Sequence, residues 1–145
     1  MTAFRLERLV RLREREEREE KLRWAAALQG VFDARETRQA GVAELRRAHD
    51  ELSAAPGAAL SPARRLVAEG TLDRLGDRKA AQEQAVQEAL RLADEARAPY
   101  DQRRREAEAL RRLEERWVAD RRKRRRRRDE RTRQEHIARQ GGTQR

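Results

Sequence analysis

Cysteine is absent from this sequence, which excludes a disulfide framework and any thiolate metal site. Aromatic residues make up only 3%, and there are three prolines and seven glycines. With so few large apolar side chains, a globular core is not expected. Long apolar runs are missing as well. The opening stretch, Met1 to Glu17, has no segment suited to a signal peptide or a membrane span, and no later segment supplies one. A cytosolic chain without a transmembrane segment is the expectation.

What fills the sequence is charge, at 44% of 145 residues. That leaves two organisations: an elongated helical hairpin, or disorder. The net charge of +10 is unevenly placed. Residues 1–52 carry 12 basic and 11 acidic side chains, and residues 53–100 carry 7 of each. Residues 101–145 carry 18 basic and 9 acidic, so the basic character is local to the C-terminal part.

The hairpin is favoured by heptads. From residue 72 onward the a positions are 72, 79, 86, 93, 100, 107 and 114, and the d positions are 75, 82, 89, 96, 103, 110 and 117. Ten of these fourteen are apolar or aromatic, the exceptions being Lys79, Gln82, Arg103 and Glu114. That is a coiled-coil seam with polar defects, and one helix cannot bury its own seam. The fold expected is all-α, an elongated antiparallel two-helix coiled-coil hairpin with an unpaired basic C-terminal helical extension.

Helix 1 is expected over about residues 3–52. Its seam is Trp24, Leu28, Val31, Val42, Leu45 and Leu52, interrupted by Arg35, Arg38 and His49. Residues 13–21 are all charged. Glu7 with Arg11, Glu14 with Arg18, Glu17 with Lys21 and Glu19 with Arg23 offer i,i+4 pairs worth about 0.2–0.5 kcal/mol each. A linker at 53–61 contains Pro56-Gly57, which is turn chemistry. Ser61-Pro62 reads as an N-cap followed by proline at the first helical position. Helix 2 is expected over about 62–138, with a kink or break near Pro99, and a frayed tail at 139–145.

Folding the chain at the linker pairs residues whose numbers add to about 117. Leu45 then faces Leu72, Val42 faces Leu75, Val31 faces Val86, and Trp24 meets Ala89, Ala93 and Ala96. Gly41 falls opposite Gly76. Phe4, Leu6 and Leu9 fall opposite Leu110, Leu113 and Trp117. The basic run at 121–128 lies just beyond.

No catalytic constellation is present. His49 and His136 are far apart in any hairpin, the glycines form no phosphate loop, and the carboxylates lie on solvated faces among arginines. No enzyme activity, metal or cofactor is expected. The basic run has three readings: a solvated charge run, a docking element for an acidic protein surface, or a phosphate-binding element for nucleic acid or anionic lipid. It contains no aromatic residue, so base stacking is not indicated. The cluster of Phe4, Leu6, Leu9, Leu110, Leu113 and Trp117 reads first as core. It also offers Val10, Leu12 and Val118 as an outward partner surface. Leu45, Leu72 and Leu75 near the tip are a second candidate contact.

The opening Phe4-Arg5-Leu6-Glu7-Arg8-Leu9-Val10-Arg11-Leu12-Arg13 and the later Leu110-Arg111-Arg112-Leu113-Glu114-Glu115-Arg116 resemble the FliJ family of flagellar type III export proteins. More distantly they resemble its virulence-secretion counterparts of the YscO type. Length, hairpin organisation and charged C-terminal tail agree over nearly the whole chain. The resemblance implies a two-helix coiled coil, similar to the stalk of rotary ATPases, at the cytoplasmic face of the inner membrane at the flagellar base. It implies that the end carrying both termini docks in the export ATPase ring and promotes its assembly and activity. It further implies contacts with the export gate membrane protein and with export chaperones. The residues expected at the ATPase end are Phe4, Leu6, Leu9, Leu110, Leu113, Trp117, Arg121, Arg122, Lys123 and Arg124. The alternative is a basic coiled-coil protein that binds nucleic-acid phosphates through residues 121–128.

Overall fold

A computed structural model of the chain describes residues 5–53 and 61–142. The fold is an all-α helical hairpin of two packed helices, α1 (Glu7–Ser53) and α2 (Pro62–Gly142). Local signals account for where each begins. The Leu6 carbonyl accepts the first helical bond from the Val10 amide at 2.9 Å. At α2 the Ser61 carbonyl accepts the Arg65 amide at 3.0 Å, and the Ser61 hydroxyl accepts the Arg64 amide at 3.3 Å. The Ser61 hydroxyl thus serves an amide that has no partner within the helix, that of Arg64, and Pro62 has none to lose. Phe4 and the Pro56-Gly57 turn lie outside the described residues.

Two features of α2 bear on the sequence-based expectation. Of the kink or break expected near Pro99, no break is formed. The missing amide leaves the Glu95 carbonyl without its helical partner, but Glu95 and Pro99 are both exposed, and residues four apart share a face, so that acceptor is on the solvent side of the helix. The next residue, Tyr100, is buried and holds the turn in place. The helix also reaches Gly142, where fraying had been expected from residue 139.

The heptad assignment of α2 matches its burial. Val86, Ala93, Tyr100 and Ala107 are buried, and all are a positions. Of the fourteen seam positions only Lys79 is exposed. Most buried or half-buried positions of α1 likewise alternate by three and four: Val10, Arg13, Glu17, Glu20, Trp24, Ala27, Val31, Ala34, Arg38, Gly41, Leu45, Ala48 and Leu52, with Glu7, Leu9, Glu14, Glu16 and Val42 half-buried beside them. This corrects the seam expected from sequence. Leu28 is 44% exposed and gives its place to the smaller Ala27. Large apolar side chains were weighted too heavily there, and alanines too lightly.

Contacts divide the chain into two compact units, Glu19–Asp101 and Met1–Arg18 with Gln102–Arg145. In the first, Trp24 stacks on Tyr100 with ring centroids 5.2 Å apart and planes inclined by 17°. Gln82 occupies the space over Gly41. Arg38 pairs with Glu83 at 3.2 Å and Arg78 with Glu44 at 3.6 Å, so the two segments run antiparallel. These partners correct the expected register. Trp24 was placed against Ala93 and its neighbours and Gly41 against Gly76, but their partners lie six or seven residues further along α2. Sliding one helix by a heptad returns a and d positions to the same face, so periodicity fixes the faces and leaves this choice open.

In the second unit Val10 and Ala107 are buried. Around them the seam is ionic. Arg13 binds Glu16 at 2.8 Å and Glu106 at 3.3 Å, while Arg103 binds Glu106 at 3.1 Å and Glu16 at 3.3 Å. Arg111 reaches Glu14 at 3.0 Å and Glu17 at 2.9 Å. Of the four helix-strengthening pairs expected along α1, Glu7 with Arg11 is formed, at 2.5 Å. Glu14 and Glu17 instead turn across to α2. Their positions on or beside the seam explain the choice.

Candidate functional site

The unit Met1–Arg18 with Gln102–Arg145 holds most of the residues singled out from sequence. Its apolar members are only partly covered. Leu6 and Leu113 are exposed, at 39% and 46%, and Leu9, Leu110 and Trp117 are half-buried. The expectation that Val10 faces outward is overturned, since it is 5% exposed; Leu12 is exposed and Val118 half-buried. Val10 continues the α1 seam three residues before Arg13, which is why it turns inward.

Where these apolar residues end, the charge begins. The Arg121 guanidinium lies over the Trp117 ring, 5.2 Å from its centroid, in cation–π geometry. This contact ties the last aromatic seam residue to the first residue of the basic run. Every residue from 119 to 142 is exposed, although α2 remains helical throughout. The α2 heptad continues through Arg121, Arg124, Arg128 and Arg131. The seam has changed from apolar to cationic without leaving its face. Trp117, Asp120, Arg121, Arg124, Arg125, Arg128 and Asp129 line a shallow concave surface along it.

The ionic seam next to this surface sets the carboxylate electrostatics. Glu106 is held below the usual carboxylate range, mainly by its hydrogen bond from Arg103, then by Gln102 and the charge of Arg13. Glu16 and Glu106 each face two guanidinium groups, and the four side chains form a closed alternating set. Such a set positions the helices and has no open coordination site. Among the described residues, no group of three or more His, Cys, Asp or Glu side chains is placed to hold a metal ion. No helix of the described residues is long and apolar enough to cross a membrane.

A family model described as "Flagellar FliJ protein" matches residues 2–145. The chain belongs to the FliJ family. This membership supports a role in flagellar protein export. No curated protein and no solved structure was found to match. The FliJ match spans both compact units, and therefore both candidate contact regions.

The second region lies in the unit Glu19–Asp101. Leu45, Leu72 and Leu75 are half-buried seam residues, so most of their surface serves helix packing. More apolar surface is available at residues not singled out from sequence. Phe32 is 70% exposed, and Leu22, Leu66 and Val67 are exposed too. Phe32 follows the buried Val31 and so falls off the seam. Once the α1 heptad is set on Val31 that exclusion is readable from sequence; a seam drawn through Leu28 hides it.

Proposed function

We propose that this FliJ-family chain acts in flagellar type III export by binding rather than by catalysis. A stalk-like coiled coil docks in the export ATPase ring through the end formed by the start of α1 and the C-terminal part of α2. It promotes assembly and activity of the ring there. The same chain escorts export chaperones and meets the export gate protein, which holds it peripherally at the cytoplasmic face of the membrane. The observation that carries this reading is the junction of two features on one end. Partly open apolar residues, Leu6, Leu113 and Trp117, adjoin an exposed basic helix that starts at Arg121.

The division of labour follows from range. Apolar contact acts only on touching surfaces, whereas charge attracts a partner across about a Debye length. Arg121, Arg122, Lys123 and Arg124 therefore speed the approach to an acidic lining, and the apolar end holds the complex. The test is association kinetics with the export ATPase, comparing the parent with a variant carrying Gln at these four positions. Slower association is expected, with the difference largest at low salt. Unchanged association and unchanged ATPase stimulation by the variant would overturn the reading.

A further inference from the structure

We propose that residues 119–142, whose first cations, Arg121 to Arg124, are also those assigned above to the ATPase, bind double-stranded DNA through its phosphates, as a continuous basic helix laid in the major groove. This goes beyond the export reading and does not depend on it. The first observation is how charge is distributed around the helix. Residues 119–142 hold 11 Lys/Arg and 4 Asp/Glu, all exposed. Successive residues of a helix are about 100° apart. The unbroken run 121–128 therefore presents cations on every side. Among the described residues, none of the side chains from Arg122 to Arg128 is held in an ion pair.

That distribution sorts the available partners. A second copy of this helix would bring like charges together and is repelled. An anionic membrane is met by one face, and interfacial helices also bury an apolar stripe. Ile137, 67% exposed, is the one large apolar side chain between residues 119 and 142. Single-stranded nucleic acid is held largely by stacking on aromatic rings, and none lies within this stretch. The major groove of A-form RNA is too narrow to read. The major groove of B-DNA is about 12 Å wide and admits an α-helix, with phosphates rising on both of its walls. A helix charged all round then engages phosphates on both sides at once.

The second observation is continuity and length. Residues 119–142 continue α2 without a break from its packed part. At 1.5 Å per residue they extend about 36 Å, and because the groove winds around the duplex a straight helix lies in it over part of that length and meets the flanking phosphates with the rest. The binding proposed is to phosphates, so it is independent of sequence and is governed by counterion release.

Fluorescence anisotropy with a labelled 24-base-pair duplex tests this, using the full chain over a range of salt. Micromolar binding near 50 mM salt is expected, with log K falling on log salt at a slope of about −4 to −6, as for roughly five to seven phosphates. Two variants of equal charge are compared. Gln at Arg125, Arg126, Arg127 and Arg128 should weaken binding at least tenfold and flatten the slope by about one for each phosphate no longer neutralised. Gln at Arg46, Arg47, Arg64 and Lys79, exposed on the rest of the hairpin, should change it little. Circular dichroism on both variants confirms that the helices persist. Equal weakening in the two variants would reduce the effect to overall charge and overturn the proposal. So would the absence of duplex binding at 50 mM salt, or tighter binding to single-stranded RNA, duplex RNA or anionic vesicles than to duplex DNA. These four positions are distinct from residues 121–124, so the outcome leaves the ATPase test intact.

Discussion

Trp24 stacks on Tyr100, and this pair marks the register of its unit. Tyr100 is buried, while Trp24 is half-buried. Truncating the indole removes both its apolar burial and an aromatic interaction worth about 0.5–1.5 kcal/mol. Trp24→Ala is expected to lower stability by about 2–4 kcal/mol, short of the full cost of a buried Trp. Tyr100→Ala should cost a similar amount, and the double variant less than the sum of the two. Urea denaturation of the three variants measures this. Strict additivity would mean that the rings do not interact.

The face of α2 and the cap at Ser61 could be read from the sequence and the face of α1 only in part, but the register could not. Apolar positions spaced by three and four identify which side of α2 is covered, and burial of Val86, Ala93, Tyr100 and Ala107 follows from that spacing. Leu45 against Leu72 looked as good as the observed arrangement, because a seven-residue slide superposes one seam on itself. What separates the two choices is side-chain detail. One is the stack of Trp24 on Tyr100, and another is the fit of Gln82 over Gly41. The ionic seam was hidden for a different reason. Residues 13–21 were read as solvent-facing helix pairs, yet Arg13, Glu17 and Glu20 occupy seam positions and look across to α2.

Glycine substitutions separate helix propensity from packing. A Cβ at Gly30 would meet nothing within 4 Å. Gly30→Ala is therefore expected to stabilise the chain by about 0.5–1 kcal/mol. At Gly41 a Cβ would fall 2.0 Å from the Gln82 side-chain oxygen. That oxygen is buried and has no hydrogen-bond partner. The amide is the end of a flexible side chain, so Gly41→Ala should push it towards water and give a smaller net gain, between zero and about 1 kcal/mol. Thermal unfolding of the two variants gives their order, and a large loss for Gly41→Ala would show that Gln82 is held in place.

The ionic seam has a pH signature. Glu106 binds its proton less readily when folded than when unfolded, chiefly because Arg103 hydrogen-bonds to it. A depressed carboxylate contributes stability above its unfolded pKa and loses it as pH falls through the folded one. The contribution is thus present at neutral pH and fades in acid, below the usual glutamate range. An NMR titration should place the Glu106 midpoint below that of an ordinary glutamate. Arg103→Gln should move it back up and reduce the acid sensitivity of unfolding. A Glu106 midpoint unaffected by Arg103→Gln would contradict the assigned hydrogen bond.

The basic part of α2 should respond to salt in the opposite sense to an ordinary ion-paired helix. Within residues 121–128 there are four like-charge pairs at i,i+4, each unfavourable by about 0.2–0.5 kcal/mol at low ionic strength. All of this segment is exposed, so no packing against α1 offsets that cost. Raising salt from 0.01 M to 0.1 M shortens the Debye length from about 30 Å to about 10 Å and weakens the repulsion. Mean helicity of the full chain is therefore expected to rise with salt. A chain ending at Lys123 should lack most of that rise, because three of the four like-charge pairs remain only as single partners, and the fourth is gone with Arg124 and Arg128. Its main unfolding transition should match that of the full chain, since residues 124–142 are all exposed. Far-ultraviolet circular dichroism on both chains across the same salt series measures the two effects together. An equal rise in both would place the salt response in the packed helices instead, and a destabilised short chain would show that residues beyond Lys123 support the hairpin.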